Sequence, residues 1–459
     1  MKWFAIVWEF QNEKEVFLMK RILALILILA LLGCSHMPKQ SNPFHCSDCN
    51  IILIFIDDLR ADHLSMFGYY RNTTPFIDSL ANASVVFEHA YVQGTYTYTS
   101  VPSILTSQMP TTLFGTNKDE PLTGKALTIA EILNQAGYKT VAFTGGIYFS
   151  HEFNIDQGFD LWVEDRFLLI NNYKLAEAWL KNHTNSKFFM VIHGMELHDP
   201  VNKGHRYFAL NISSRINGCE EEWGKLEKEY FKKGYINLTD DEIAKYTAMY
   251  DDNIRWVDNT TRKFFDFLAK KGLLTNTIVV VTSDHGEELL DHGGIQHGYT
   301  LYNEVLRVPL IIRFPSKVGL KYTGNVRLVD LVPTLLDAVG INYKRYNFVG
   351  QSLLDLLVTK TSMDLVVFSE TNRGKQLRSI IKGDLKVIED LTNNKTFLFN
   401  LSEDYEEKTN ICWLHKELCQ SLKEELHSFF NSLPIIYEPE EHEISEKLKS
   451  RLKSMGYLR

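Results

Sequence analysis

The chain has no excess of positive charge. Nucleic-acid-binding proteins generally do have such an excess. Its 459 residues include 49 Lys and Arg against 57 Asp and Glu, which gives a formal net charge of −8. A nucleic-acid-binding protein needs a basic face to neutralise phosphates. The composition therefore argues against a nucleic-acid partner and is that of an ordinary, mildly acidic globular protein, with 45% hydrophobic residues.

Long hydrophobic runs are also lacking. The apolar segment Ile22–Leu32 is eleven residues long, whereas a helix that crosses a bilayer needs about 20. Lys20 and Arg21 precede it, and a basic pair before a short apolar run is typical of a secretory signal. We therefore predict export, the alternatives being a chance apolar stretch or an uncleaved anchor.

The end of this segment, LLGC, resembles the lipobox of bacterial lipoproteins, in which the cysteine is acylated. We expect a signal peptide over residues 1–34, with Met19 as the true start and lipid on Cys34. The polar residues 35–49 would form a tether. The protein would then lie in the cell envelope, anchored to a membrane and facing the periplasm or the exterior.

Cysteine is scarce, with six residues in the whole chain. If Cys34 carries lipid, five remain, in a compartment that permits disulfides. One possible arrangement pairs Cys46–Cys49 and Cys412–Cys419 and leaves Cys219 free. The first pair could instead be half of a zinc site, but no second pair has a matching spacing.

Continuous apolar runs alternate with helical patterns, which predicts an α/β protein with a large, mostly parallel sheet flanked by helices. Helical patterns cover 128–138 and 239–272. The runs that we interpret as buried strands are 50–57, 139–145, 187–194, 277–286 and 308–314.

The sequence pattern changes near residue 346, where short strand-like segments begin. We predict a catalytic domain over 50–345, a small antiparallel subdomain over 346–435, and a charged helical tail over 436–459.

Candidate metal ligands follow three of the predicted strands. Asp57 and Asp58 end the first, His193 closes the third and is followed by His198, and the pair Asp284-His285 ends the fourth. Ligands in such sheets bind at the carboxyl ends of the strands, so these groups should share one site. Carboxylates with an imidazole suit a divalent cation, zinc or manganese more than calcium. For any one pair, the alternative is a helix cap or a surface salt bridge.

A threonine-rich turn leads into a short helical pattern within residues 94–110. Thr97 or Thr99 would lie near the helix N-terminus, where free backbone N–H groups attract anions. A hydroxyl there, close to a metal, could act as a nucleophile. Threonine-rich turns are also common helix caps, so this pattern alone is weak.

Several longer motifs together resemble the sulfatase family of the alkaline phosphatase superfamily, from about residue 50 to the end. They are IDDLRADHLSMFGYYRNTTPFIDSL, TIVVVTSDHGEELLDHGGIQHGYTLYNEVLRVPLIIRFP, DLVPTLLDAVGI, LFNLSEDYEEKTNI and LKSMGYL. The resemblance implies an alkaline-phosphatase-like fold and four metal ligands, Asp57, Asp58, Asp284 and His285. It also implies that His297 touches the ester anion and that His198 contacts the substrate.

The nucleophile region departs from the family pattern, Cys or Ser-x-Pro-x-Arg, whose cysteine is oxidised to formylglycine. One alignment places Thr97 at the nucleophile and Val101 at the arginine; the other places Ser100 and Ile104 there. We prefer Thr97, since that alignment preserves the following helix. Both lose the arginine, neither offers a cysteine, and the family's Lys/His pair is also missing, with only His151 nearby.

These residues together predict a metal-dependent hydrolase of sulfate or phosphate esters that uses Thr97 as nucleophile. The divalent metal would be zinc, manganese or calcium. The first alternative is a transferase that passes a phosphoryl-linked group to envelope glycan or lipid. The second is a binding lipoprotein that keeps the fold and has lost catalytic power.

Overall fold

The computed structural model describes residues 42–115, 120–164, 168–183, 186–201, 203–204, 207–209, 218–359, 363–437, 446 and 449–450. The predicted signal peptide with Cys34, part of the tether and most of the predicted tail lie outside these residues. The chain divides into two compact units, Met1–His45 and Cys46–Arg459, and all elements below belong to the second. Among the described helices, none combines the length and apolar character that crossing a membrane requires.

Ten strands of the described residues form the larger sheet and a small ribbon. They are β1 Asn50–Ile56, β2 Val85–Tyr91, β3 Lys139–Phe143, β4 Leu161–Val163, β5 Phe188–Gly194, β6 Thr277–Thr282, β7 Glu288–Leu289, β8 Ile295–Gln296, β9 Arg307–Arg313 and β10 Leu320–Arg327. Eight of them form the larger sheet, in the order β10-β2-β9-β6-β1-β5-β3-β4, and β7 and β8 form the separate ribbon.

Strand β1 is central, and it is apolar from Ile51 to Ile56. It pairs in parallel with β5 and with β6, so that Ile52 lies opposite both Met190 and Val279. Strand β9 is buried as predicted but runs antiparallel to both its neighbours, β2 and β6. The sheet is therefore mostly parallel with one reversed strand, and the predicted fold class is confirmed.

Helices pack against the larger sheet. The α-helices of the described residues are α1 Pro75–Leu80, α2 Thr97–Thr106, α3 Pro110–Phe114, α4 Ile129–Gln135, α5 Leu169–Asn182, α6 Glu220–Lys233, α7 Asp240–Lys270, α8 Asn303–Leu306, α9 Leu331–Ala338, α10 Leu354–Thr359 and α11 Lys416–Ser432. A capping box between Thr239 and Glu242 starts α7, and its apolar stripe, including Tyr250 and Phe264, packs into the main core. The helical pattern predicted over 239–272 is confirmed.

The C-terminal part forms an antiparallel sheet of four strands in chain order: β11 Val367–Thr371, β12 Leu377–Lys382, β13 Leu385–Asp390 and β14 Lys395–Asn400. Helix α11, which the sequence patterns did not predict, buries Leu422 and Leu426 in the core of this region. The disulfides are Cys46–Cys49 and Cys412–Cys419, and Cys219 is free. The proposed pairing is thus confirmed.

Candidate active site

The carboxyl end of β1 places Asp57 and Asp58 in the interior, where both side chains are fully buried. Asp58 has a φ of 60°, a left-handed conformation that non-glycine residues rarely adopt. Tyr250 of α7 holds this turn, because its hydroxyl donates to the Asp58 carbonyl at 2.5 Å and accepts from Arg60 N at 3.0 Å. A backbone strain of this kind is common where side chains must be aimed at a ligand.

The carboxyl end of β6 brings Asp284 and His285 to the same place. His285 Nε2 lies 3.3 Å from Asp284 Oδ2 and 3.7 Å from Asp57 Oδ1. On the other side of the ring, Nδ1 lies 3.0 Å from Asp58 Oδ1. Gly286 follows at a position where a Cβ would lie 1.9 Å from the Glu304 carbonyl oxygen, so the motif requires glycine there.

These carboxylates are buried without matching donors. Among the described residues, none makes a well-aligned hydrogen bond to a side-chain oxygen of Asp57, Asp58 or Asp284. Burial, followed by the charge of Asp58, raises the pKa of Asp57 to about 6, and burial raises the pKa of Asp284 to about 7. Uncompensated buried carboxylates are costly unless they are paired or coordinate a metal.

A divalent cation fits this cluster. Asp57, Asp284 and His285 offer ligand atoms within 4.8 Å of one another, and so do Asp58, His285 and His297. The geometry thus brings together the four residues predicted as metal ligands: Asp57, Asp58, Asp284 and His285.

Thr97 is the first residue of α2 and faces this cluster. Its Oγ1 lies 3.2 Å from His285 Nε2. The preceding turn needs Gly94, since a Cβ there would lie 2.5 Å from Thr99 Oγ1. Ser100, the alternative nucleophile, is fully buried within α2, and its hydroxyl has no hydrogen-bond partner among the described residues.

The two predicted substrate histidines lie beside the cluster. The His297 ring is 4.3 Å from that of His285 and 5.4 Å from that of His198. Burial lowers the pKa of His297 to about 3, so this imidazole is neutral near pH 7. His198 Nδ1 lies 3.3 Å from Asp199 Oδ1, which would orient the ring.

Two residues near this site were not singled out from the sequence. Glu287 Oε2 lies 2.8 Å from His297 Nδ1. The position of Glu287 in the string SDHGE is the sequence pattern that could have identified it as a site residue. Arg373, in the loop after β11, donates from Nη1 to the His297 carbonyl at 3.4 Å and stacks 5.4 Å from the Tyr96 ring. No local pattern could connect Arg373 with a motif so distant in the chain.

Val101 and Ile104, which the two alternative alignments match to the family's arginine, are both buried. His151 is 60% exposed and pairs with Glu164 at 2.7 Å. His193, which the sequence suggested as a ligand, points its Nε2 to within 3.9 Å of Asp57 Oδ1.

Comparison with known proteins gives consistent results. The family model described as Sulfatase matches residues 49–341, and the model described as N-sulphoglucosamine sulphohydrolase, C-terminal, matches residues 291–433. Arylsulfatase K of Rattus norvegicus is 24% identical over 468 residues, covering 89% of this chain and 83% of the relative. N-acetylglucosamine-6-O-sulfatase of Bacteroides thetaiotaomicron is 23% identical over 429 residues, covering 73% and 75%.

Solved structures share the fold at low sequence identity. A protein solved in complex with its substrate D-glucosamine-2-N,6-O-disulfate superposes with a TM-score of 0.66 at 22% identity, covering 85% of this chain and 100% of the other. The phosphonate monoester hydrolase of Agrobacterium radiobacter superposes with a TM-score of 0.67 at 17% identity, covering 83% and 95%.

The family model and the curated relatives identify an ester hydrolase of the sulfatase type, and the solved structures show the same fold. The sulfatase model alone spans more than half of the chain. The chain belongs to the sulfatase family.

Proposed function

We propose that the protein hydrolyses an anionic ester through nucleophilic attack by Thr97. The observation that carries this proposal is the 3.2 Å contact between Thr97 Oγ1 and His285 Nε2, at the start of α2. Beside it lie buried carboxylates to which no described residue donates a well-aligned hydrogen bond. A hydroxyl held at a helix N-terminus faces backbone N–H groups that favour an anionic oxygen. Position and electrostatics therefore both favour Thr97 as the nucleophile.

A divalent cation held by Asp57, Asp58, Asp284 and His285 would lower the pKa of the Thr97 hydroxyl and neutralise the ester anion. Zinc, manganese and calcium are the candidates. His297 lies beside the cluster with Nδ1 directed to Glu287 Oε2, so Nε2 is the ring nitrogen that would contact an ester oxygen. His198 is the candidate proton donor to the leaving oxygen.

The reaction has two displacements. In the first, Thr97 loses its proton to solvent and its oxygen bonds to phosphorus or sulfur, while the bond to the leaving oxygen breaks as that oxygen takes a proton from His198. In the second, water breaks the bond between Thr97 and the transferred group, which restores the hydroxyl. A threonine ester lacks the second hydroxyl from which formylglycine hydrate eliminates sulfate, so we propose a preference for phosphate esters.

The names of one relative and of one structural neighbour support a proposal for the substrate class of this chain. One relative is named for a 6-O-sulfated amino sugar, and one neighbouring fold is a phosphonate monoester hydrolase. We propose an anionic ester on an envelope glycan or lipid as the substrate. An acceptor-dependent reaction of the same threonine would make the enzyme a transferase instead.

Matched aryl phosphate and aryl sulfate substrates test the nucleophile. Thr97→Ala should lower the rate by orders of magnitude while metal content is unchanged, because the variant removes the attacking oxygen and no predicted ligand. Ser100→Ala is the matched control and should keep most of the activity. An active Thr97→Ala beside an inactive Ser100→Ala would reverse the assignment, and efficient sulfate release by the wild type would overturn the phosphate preference.

We also propose that the protein is exported and lipid-anchored through Cys34. The basic pair, the short apolar run and LLGC support this proposal, and the two disulfides suit an oxidising compartment. Cys34→Ala should abolish incorporation of labelled fatty acid and release the protein from the membrane fraction. Cys219→Ala, which removes the free cysteine, should change neither property. Unaltered membrane fractionation of Cys34→Ala would contradict the anchor.

A further inference from the structure

A cavity lies beside the β7–β8 ribbon, apart from the candidate active site. Its volume is about 250 Å³, slightly below the range of about 300–1,000 Å³ that small-molecule sites usually have. Of the described residues that line it, none is a predicted metal ligand or the predicted nucleophile. Glu287, just before β7, contacts His297 of the site, whereas its neighbour Glu288 lines this cavity. The size of the cavity suits a ligand of one ring.

Aromatic side chains from separate parts of the chain line the cavity, namely Tyr230 of α6, Tyr299, Tyr302 and Phe397 of β14. Tyr302 stacks on His292 with ring centroids 3.6 Å apart, and the Tyr299 ring lies 5.5 Å from that of Phe231. These contacts hold both tyrosine rings in place without a ligand. A tyrosine joins an apolar ring face to a polar hydroxyl group. This combination matches a sugar ring, which has C–H groups on its faces and hydroxyl groups at its edge.

Glu288 supplies a buried polar group to the cavity. Its side chain is 1% exposed; Oε1 accepts from Thr300 at 2.7 Å, and Oε2 has no hydrogen-bond partner among the described residues. Gly294 makes room for Oε2, since a Cβ there would lie 1.9 Å from this oxygen and 3.3 Å from the Tyr230 hydroxyl oxygen. A buried polar group without a partner is costly, and a hydroxyl group of a ligand would satisfy it.

The charged groups of the lining are already compensated within the protein. Lys375 and Asp390 both line the cavity, and against the effect of burial, hydrogen bonds from Asn393 and the charge of Lys375 lower the pKa of Asp390. His292 is paired with Glu304 at 2.6 Å. Burial, followed by the charge of Glu304, raises the pKa of the neighbouring Glu288 carboxyl group to about 8, so this group is mostly protonated near pH 7. The lining therefore favours a neutral ligand over an ion.

We propose that this cavity binds one neutral sugar ring of the glycan whose ester is hydrolysed at the candidate active site. The inference rests on the proposed function, and it selects a glycan over a lipid as the carrier of the ester. The two places share a wall, because Tyr299 follows His297 by two residues and packs 4.7 Å from Arg373, which donates to the His297 carbonyl. A glycan bound in the cavity would thus hold its ester beside Thr97.

Saturation-transfer difference NMR of the full chain tests the cavity without any measurement of activity. The probes are D-glucose, D-galactose, D-mannose, N-acetyl-D-glucosamine and N-acetyl-D-galactosamine. The wild type should transfer saturation to at least one of them. Tyr299→Ala, which removes a ring face, and Glu288→Leu, which removes the buried polar group, should each abolish this transfer. The matched control is Tyr70→Ala, since Tyr70 is 76% exposed and lies outside the cavity lining.

Excess inorganic phosphate separates the cavity from the active site. It should not displace a sugar from the cavity, whereas it should displace one held at the proposed metal site. The proposal is overturned if no probe receives saturation, if transfer persists in both cavity variants while their circular dichroism spectra match the wild type, or if phosphate removes the transfer. Failure of the proposed function has a different signature, namely unchanged hydrolysis by Thr97→Ala.

Discussion

Two groups of buried charged residues in this molecule differ in how their charges are compensated. In the C-terminal sheet, Lys386 of β13 lies 2.7 Å from Glu407 Oε1 and donates to Asn303 Oδ1 at 3.0 Å. Asn303 N in turn donates to Glu407 Oε2 at 2.6 Å. At the strand ends of the larger sheet, by contrast, the oxygens of Asp57 and Asp284 have no such donors among the described residues.

The difference separates two uses of buried charge. A buried ion pair with additional hydrogen bonds is complete without a ligand, and removing one partner leaves an unpaired charge. A carboxylate cluster without donors carries an electrostatic cost in the free protein, and a cation can relieve it. The first group should therefore respond to mutation in stability, and the second in ligand binding.

The largest effect that we expect on stability comes from the ion pair. Among the three residues of this group, Lys386, Glu407 and Asn303, only Lys386 carries a positive charge. Lys386→Met should therefore lower the free energy of unfolding by about 3–5 kcal/mol. Urea unfolding followed by circular dichroism would measure it. Lys382→Met is the control, because its partner Glu425 lies at the surface and such pairs contribute about 0–1 kcal/mol. Equal losses in the two variants would remove the distinction between buried and exposed pairs.

A second prediction concerns metal binding at the strand ends. Asp284→Asn should strip the bound metal, because it removes a charged ligand from a cluster of few ligands. Metal content after dialysis is the measurement. Asp258→Asn is the control: Asp258 is also buried, but it accepts hydrogen bonds from Phe76 N and Ile77 N and should not affect metal content. Stoichiometric metal in Asp284→Asn would show that the cluster is not the metal site.

The same variant should change how the stability of the metal-free protein depends on pH. Burial raises the pKa of Asp284 to about 7, whereas an unfolded aspartate titrates near about 3.9. The folded state then binds more protons between these values, so Asp284 lowers stability as pH rises from about 4 to about 7. The slope is at most about 1.4 kcal/mol per pH unit. Relative to the wild type, Asp284→Asn should lose this dependence, and parallel stability curves would contradict it.

Strand-end residues were predictable because they depend on local patterns. An apolar run that ends on acidic residues predicts a buried strand whose carboxyl end carries ligands. This pattern alone puts Asp57 and Asp284 at such strand ends, without knowledge of the fold. The stripe of α7 was predictable for the same reason, since apolar residues recur at three- and four-residue steps. Both kinds of inference use only neighbours in the chain.

The features that escaped prediction depend on contacts between distant segments. The reversed direction of β9 follows from its pairing with β2 and β6, and nothing in its own composition encodes direction. Arg373 approaches His297 only because the C-terminal sheet packs there. Glu287 lies 2.8 Å from His297 Nδ1 only in the folded chain, because the intervening ribbon brings the two residues together.

The central position of β1 also has a consequence for the order of folding. Its partners, β5 and β6, end at Gly194 and Thr282, so the first of the described strands completes its pairing only after β6 has been synthesised. Pairings between residues so far apart in sequence carry a large loop-closure entropy and form slowly. During synthesis a largely apolar strand therefore has no partner until β5 follows, and keeps one unpaired edge until β6 follows. Aggregation of nascent chains should accordingly be greatest before β6 is available.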